Sequence, residues 1–461
     1  MQLNRTISIS IKTCNFVNLT SLKCRIFTVG LKKIYMRKYR VLILGSGGRE
    51  HTLAWKISQS PVLDKLYIAP GNGGSYALAE NIILNPLDFE SVSFTIIKYN
   101  IDILVVGPEE PLVKGIVDYL RIKPSHQNLI IVGPDSSGAM LEGSKAWSKE
   151  FMLKYNIPTA KYKNFNKNNK TDAFKFLNEL NPPYVIKASG LAAGKGVIIT
   201  ESREDAEKTI NEMLEGSLGD AGKEIVIEEF LDGIEVSVFV LTNGENYALL
   251  PEAKDYKRIG DNNTGPNTGG MGAVSPVPFA DEIFMDKVRS RIIEPTLSGL
   301  RNKNIVYQGF IFFGLINVKN EPYVIEYNVR MGDPETQAVL PRLKNDLLEL
   351  FVSMQNKNLD SVKIEISSEI ALTVVMASGG YPTDYTKGYE IDLPETEKDI
   401  LIFHAGTTVK NNKLITSGGR VLALTSLANS IGEARGKAYN YIEKINFNNR
   451  YFRKDIGKDL I

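Results

Sequence analysis

Residues 184–199 read YVIKASGLAAGKGVII, two apolar runs separated by a loop containing Gly190, Gly194, Lys195 and Gly196. The first run closes with Lys187, whose side chain therefore has a fixed origin. The pattern predicts strand, flexible loop, strand. It is not a Walker A loop, which needs G-x-x-x-x-G-K-[ST]. Here three residues separate Gly190 from Gly194, and Gly196 follows Lys195. Phosphate oxygens require several oriented donors and at least one cation. The backbone from Ser189 to Gly196, with Lys187 beneath it, supplies both. The alternative is a glycine-rich hairpin with a solvated lysine.

Upstream, the apolar run 40–44 leads into Gly45-Ser46-Gly47-Gly48 and then a helical stretch from Arg49 and Glu50 onward. Further apolar strands at 66–69, 103–106 and 129–132 each end in a Gly/Pro loop. Apolar strands without alternation predict a parallel sheet covered on both faces, with ligand loops at the strand C-termini. The first loop lacks the last glycine of a dinucleotide fingerprint, because Glu50 occupies that position. It suits a small phosphorylated ligand, a structural tight turn or, less well, a nucleotide. Residues 144–156 predict an amphipathic helix, and 164–170 (NFNKNNK) a surface turn. A last unit has strands at 371–377, 400–405 and 419–425 and a helix over 427–445.

Two acidic segments follow the glycine loop. Residues 225–238 place Glu228 and Glu229 at a strand end, then Phe230, Leu231 and, opening the next strand, Glu235. The backbone there can read an adenine edge, and Glu235 can accept from ribose hydroxyls; solvated turn residues are the alternative. In residues 321–336 (EPYVIEYNVRMGDPET), Glu326 and Asn328 share one face of a strand. A carboxylate beside an amide oxygen suits Mg²⁺ with phosphate completing its shell, against a buried hydrogen-bonded pair. Arg330 shares that face if the strand runs on.

The chain has 461 residues, 43 % hydrophobic and 23 % charged, with a net charge of +2. Residues 1–40 hold nine basic side chains and no acidic ones, which leaves 46 basic against 53 acidic in the remainder, net −7. A mildly acidic body argues against nucleic acid as a partner. No apolar run reaches the length of a membrane span. Both cysteines, Cys14 and Cys24, precede the predicted fold, so its body has no internal disulfide. The basic start is either an organellar transit segment or an upstream start codon, with Met36 just before the first strand.

Longer motifs add a resemblance. GSGGREHTLAW (45–55), APGNGG (69–74), VVGPEEPLVKGI (105–116), GPNTGGMGA (265–273), EYNVRMGDPETQ (326–337) and YFRKDIG (451–457) are similar to those of the phosphoribosylamine–glycine ligase family of the ATP-grasp superfamily. The resemblance runs from Met36 to Leu460. It implies a mixed α/β and α+β chain: a basic extension over 1–35, an N-terminal parallel-sheet domain over 36–138, a two-lobed ATP-grasp region over 139–365 with a lid lobe at about 159–226, and a small α+β domain over 366–461.

Carried onto this chain, the resemblance makes Lys145 and Lys187 phosphate contacts and 189–196 the lid. Glu228, Glu229, Phe230 and Leu231 form the adenine hinge, with the register of Glu228 against Glu229 open. Glu235 is the ribose contact, and Glu326 and Asn328 hold Mg²⁺, with Mn²⁺ as an alternative. Gly45, Gly47, Gly48, Arg49, Glu50, Asn72, Gly73, Pro108, Glu109 and Glu110 face phosphoribosylamine. Asp255, Asn267, Thr268, Gly269, Gly270, Met271 and Arg330 border the glycine and acceptor side, and Lys187, Arg330 and Asp255 are the catalytic set. Tyr256, Tyr327 and Met331 depart from the family's commoner residues while keeping bulk. Phe312 and Phe313 stand where ATP-grasp relatives carry a further acidic ligand, which bears on a second Mg²⁺.

The resemblance implies ATP-dependent joining of glycine to 5-phosphoribosylamine through glycyl phosphate, in a cytoplasmic monomer or weak dimer, organellar if the extension is a transit segment. Acyl-enzyme chemistry has few candidates, since His51, His126 and His404 are the only histidines. His51 is placed to touch substrate; the other two read as structural. A different ATP-grasp ligase would lack GPNTGGMGA, and an ATP-binding regulator would need neither the metal pair nor an acceptor pocket.

Overall fold

The apolar strands predicted at the start form one parallel sheet: β1 (Tyr39–Gly45), β2 (Leu63–Pro70), β3 (Glu80–Asn81), β4 (Ile103–Val106) and β5 (Ile130–Val132), in the order β3-β2-β1-β4-β5. Their lack of alternation has a direct cause. Leu42, Leu44, Leu104 and Val106 enter one hydrophobic core, whereas Val41, Ile43, Ile103 and Val105 enter a second core on the opposite face. Both faces are buried, so both parities must be apolar. The computed structural model describes residues 37–192 and 196–461. The extension 1–35, with its two readings, and Gly194 and Lys195 lie outside the described residues.

An antiparallel sheet follows, built from β6 (Tyr162–Asn166), β7 (Tyr184–Ala188), β8 (Val197–Thr200) and β9 (Glu224–Glu229) in the order β6-β9-β7-β8. The helices Lys170–Phe176 and Arg203–Leu214 cover one face through Phe176, Ile210 and Met213. The tract 164–170 is only partly the turn expected of it. Its first three residues end β6, where Phe165 packs inward, half-buried Asn164 donates to the Ala146 carbonyl and Asn166 is exposed. Phe165 and Asn164 point to opposite faces, as successive residues of a strand do.

A second antiparallel sheet has the order β11-β10-β16-β17, from β10 (Ile234–Thr242), β11 (Tyr247–Leu249), β16 (Gly309–Val318) and β17 (Glu321–Asn328). The last large sheet runs β12-β15-β18-β22-β19, with β23 (Arg450–Tyr451) beside β18. Its strands are β12 (Lys254–Asp255), β15 (Gly272–Ser275), β18 (Ile370–Ser378), β19 (Ile400–His404) and β22 (Arg420–Ala428). Two of them come from the middle of the chain. They frame the short ribbon β13 (Arg258–Gly260) and β14 (Thr264–Asn267); a second ribbon pairs β20 (Thr407–Lys410) with β21 (Lys413–Thr416). The final helix begins later than its sequence pattern, at Ile431–Ile442. Leu427 still belongs to β22, and the Ser430 side chain caps the helix by accepting from the Glu433 amide. No helix among the described residues is long and apolar enough to cross a membrane.

The motif 451–457 fastens the chain end. Arg453 is buried and donates to Asp455, the Asn263 side chain and the Arg258 carbonyl. Burial pushes the Asp455 carboxyl up, but the Arg453 hydrogen bonds, the Asn262 amide and the Arg453 charge together outweigh it and bring it down to about 2. Arg453→Ala is expected to lower stability by about 3 kcal/mol, because it strands several charge-assisted partners. Urea unfolding at pH 7 checks this, and an unchanged midpoint would show the anchor to be dispensable.

Candidate active site

Lys187, the penultimate residue of β7, turns inward. Its Nζ lies 3.0 and 3.1 Å from the two Glu228 oxygens and donates to the Ile325 carbonyl at 3.3 Å. One residue on is Glu326, so the two antiparallel sheets meet here. Lys149, on the helix Lys145–Lys154, reaches the same carboxylate at 2.9 Å and donates to Thr159 Oγ1 at 2.7 Å. Burial pushes the Lys149 ammonium down to about 8. Lys145 begins that helix and donates to the Gly190 carbonyl at 3.3 Å. Burial also lowers the Lys145 ammonium, while the nearby Glu326 charge works against that. Ser189 seats the loop on the helix start: its carbonyl accepts from the Lys145 amide and its Oγ from the Ala146 amide. Gly190 must be glycine, since a Cβ there would lie 2.8 Å from the Ala221 Cα. Gly196 closes the loop by accepting from the Ala188 amide at 2.7 Å.

The hinge residues separate in role. Glu228 faces the two lysines, and Glu229 turns outward to accept from the Lys161 amide at 2.7 Å. Phe230 is exposed and Leu231 half-buried.

Glu326 and Asn328 lie on the cleft side of β17, and Tyr327 between them packs against Phe313 in the core. Strict alternation would put Val324 beside Glu326. A register shift after Gly314 instead sends Val324 into the core with Tyr327. The same register places Gly314 opposite Glu326, whereas Phe312 pairs with Asn328 and Phe313 with Tyr327. The position facing the acid is therefore a glycine, and both phenylalanines are core residues. A Cβ on Gly314 would sit 3.0 Å from Glu326 Cγ, so glycine leaves this space open. The buried Asn328 Nδ2 has no hydrogen-bond partner. An orphaned amide beside a carboxylate fits a hard cation, once the amide turns its oxygen inward. Among the described residues no group of three or more histidine, cysteine, aspartate or glutamate side chains is placed to hold a metal by itself.

β17 ends at Asn328, so Arg330 is placed by a loop and not by the strand. Its guanidinium lies 2.7 Å from Glu142 and 3.3 Å from Glu109. Glu142 also accepts from the Val329 amide. Glu235, Ser237, Asp255, Lys257, Gly314 and Glu326 line one small cavity. Lys257 bridges Asp255, at 3.1 Å, and Glu235. Glu335 Oε1 accepts from the Ser237 hydroxyl at 3.1 Å; burial, with Asp255 beside it, pushes its carboxyl up to about 7.

The parallel sheet presents its loops to the same region. Glu50 Oε2 accepts from the Gly47 amide at 2.6 Å, and a Cβ on Gly45, at φ +124°, would lie 2.5 Å from Glu50 Cγ. The Gly48 helix start abuts Asp333 and Gln337. Arg49 donates to the Met331 carbonyl at 3.2 Å and its amide to Asp333 at 3.3 Å. Asn72 ties its loop to Ser46 and His404 carbonyls, and the Gly73 amide bonds the Thr407 carbonyl. Pro108 caps the turn of Glu109, and Glu110 pairs with Lys114 at the surface. Thr268 bonds the Lys257 carbonyl twice. Gly269 accepts from Arg420, Gly270 packs on Pro334, and Met271 is buried beside Asn267's ribbon.

The histidines are packed. His51 Nδ1 accepts from the His404 amide, and burial pushes the His51 imidazole down to about 3 and His404 to about 4; His126 bonds Ser93. The three departures from family pattern also sit in packing. Tyr256 turns away from the cavity to bond Asp459, Tyr327 bonds Thr296, and Met331 is fully buried. Sequence reasoning missed Lys149, Glu142, Lys257, Asp333, Glu335 and Arg420. Lys149 follows Lys145 by one helical turn, and Lys257 follows Asp255 by one strand repeat, so spacing carried a signal for both.

Two antiparallel sheets closing on cations from one and an acid–amide pair from the other define an ATP-grasp fold. Models of phosphoribosylglycinamide synthetase match in succession: its N domain over residues 39–142, its ATP-grasp (A) domain over 143–336 and its C domain over 371–459. The phosphoribosylamine–glycine ligase of Fusobacterium nucleatum is 46 % identical over 425 residues, covering 91 % of this chain and 98 % of that protein. The crystal structure of the Thermotoga maritima ligase superposes with a TM-score of 0.77 at 35 % identity, over 90 % of this chain and all of that one. A biotin carboxylase from Campylobacter jejuni shares the fold, with a TM-score of 0.69 at 15 % identity over 90 % of this chain and 93 % of that one. The chain belongs to the phosphoribosylamine–glycine ligase family.

Glu228→Ala leaves two buried ammonium groups without an acid and is expected to destabilise by about 3–5 kcal/mol, read from denaturant unfolding. Glu335 gives a pH signature. Its folded pKa lies above the usual carboxylate value of about 4.3, so its contribution is complete below about pH 4 and lost as pH rises through about 7. Glu335→Gln is expected to flatten the fall in stability between about pH 4 and 7; a pH profile parallel to wild type would exclude the shift.

Proposed function

We infer that this chain ligates glycine to 5-phosphoribosylamine with consumption of ATP, giving glycinamide ribonucleotide, ADP and phosphate in purine biosynthesis. The observation that carries the reading is the meeting of Lys145 and Lys187 beside Glu326, Lys145 within reach of its charge and Lys187 on the neighbouring Ile325 carbonyl, with the parallel-sheet loops docked beside them through Arg49 on Met331 and Glu109 on Arg330.

A carboxylate is a poor electrophile. The γ-phosphoryl of ATP passes to the glycine carboxylate, and the amine of phosphoribosylamine then attacks the acyl carbon of glycyl phosphate and expels phosphate. Such chemistry depends on positioning and charge neutralisation rather than on a covalent nucleophile. Lys145 and Lys187 supply positive charge to the triphosphate, and Glu228 holds Lys187 in place before ATP arrives. Phe230 and Leu231 border the adenine, with Glu229 facing outward and Glu235 toward the ribose. Arg330, fixed between Glu109 and Glu142, keeps a cation on the acceptor side. A divalent ion at Glu326 and Asn328, Mg²⁺ or Mn²⁺, would neutralise phosphate oxygens, which complete its shell. The loop from Ser189 to Gly196 excludes water from the acyl phosphate. Gly48, at a helix start, offers its amide to the ribose phosphate, while Gly45 and Gly47 shape the loop around Glu50, which takes the Gly47 amide.

Lys187→Ala is expected to lower kcat/KM for ATP by roughly tenfold or more. Glu326→Ala is expected to lose turnover and Mg²⁺ dependence while keeping the wild-type melting temperature. Steady-state assays with glycine, other amino acids and phosphoribosylamine generated in place test the reading, and ADP release independent of glycine would refute it.

A further inference from the structure

Lys257 has no part in the steps above, yet it occupies the centre of the acidic cavity. Its ammonium lies between Asp255 and Glu235, and both acids share the cavity with Glu326. Its backbone is held, since its carbonyl accepts from both the amide and the Oγ1 of Thr268, each at 2.8 Å. Burial would lower its proton affinity, but Asp255, Glu235 and Glu326 together hold it well above the usual lysine value, so the charge persists. The side chain is still 39 % exposed and Glu326 is half-buried, which puts solvent ions in reach of Glu326. A monovalent cation of the protein's own thus sits beside the carboxylate that a divalent ion would use.

We propose that Lys257 is a positioning residue that acts as a resident counter-ion: its bridge between Asp255 and Glu235 keeps free divalent cations off Glu326, so that the metal enters with the nucleotide. Like charges at short range repel strongly in a partly buried site. The phosphates of a bound nucleotide offset that repulsion, and a bare aqueous ion does not. This rests on Glu326 and Asn328 being the metal ligands. An ordinary salt bridge would leave ion affinity unmoved when the lysine is replaced.

The test is Mn²⁺ binding to the full chain, read from the electron paramagnetic resonance of the free ion, with and without ADP. Without ADP, Lys257→Met and Lys257→Gln are expected to bind Mn²⁺ about tenfold more tightly than wild type, or more. Lys257→Arg, which keeps the cation, is expected to match wild type. The tightening is expected to vanish when Glu326→Gln is added to either variant. Unchanged Mn²⁺ affinity in both the Met and Gln variants, with wild-type circular dichroism in at least one, overturns the proposal. Tightening that survives Glu326→Gln also overturns it. Failure of the metal assignment looks different: wild type with ADP would then hold Mn²⁺ no better than its Glu326→Gln variant.

Discussion

A protein that grips a triphosphate must keep positive charge indoors before the ligand arrives, and one carboxylate makes that tolerable here. Glu228 is shared by Lys149 and Lys187, all three nearly sealed from water. An isolated buried ammonium would lose its proton; paired, it keeps it. The fold supplies the three groups from three places: the second helix after the parallel sheet (Lys145–Lys154), the strand before the glycine loop (β7) and the second strand after it (β9). Because Lys187 also touches the Ile325 carbonyl, the pairing fixes the cation against the strand that carries Glu326. Much of the cleft is thereby set by electrostatics within one sheet.

A second charged seam joins the parallel sheet to the cleft. Arg49 reaches the Met331 carbonyl, Arg330 reaches Glu109 and Glu142, and Asp333 receives the Arg49 amide and the Arg420 guanidinium. Loops from three sheets therefore meet at residues 330–333, directly after the acid–amide pair. The parallel-sheet loops and the cleft between the two antiparallel sheets are held in register by contacts to one short loop.

Much of this was legible in the residues. The parallel sheet followed from unbroken apolar runs, because burial on two faces leaves its mark on composition. Glu326 and Asn328 followed from strand parity. What escaped was set by pairing across the chain. No local pattern shows that Glu228 answers Lys149, or that Gly314 and not Phe312 or Phe313 stands opposite Glu326, since a one-residue register shift in β17 decides it. Asn164 to Asn166 read as a turn because polar residues outnumber the single inward Phe165. Arg330 would share the face of Glu326 and Asn328 only if the strand ran on, and β17 stops two residues earlier.

The last sheet borrows β12 and β15 from the middle of the chain, and β15 pairs along β18 from Gly272 to Ser275. A fragment cut near residue 366 would thus carry β18 with one flank bare, its amides and carbonyls open to any passing strand. The C-terminal segment is therefore no exchangeable module: transplanted alone it would tend to self-associate, and any chimera that keeps it soluble must bring residues 254–275 along.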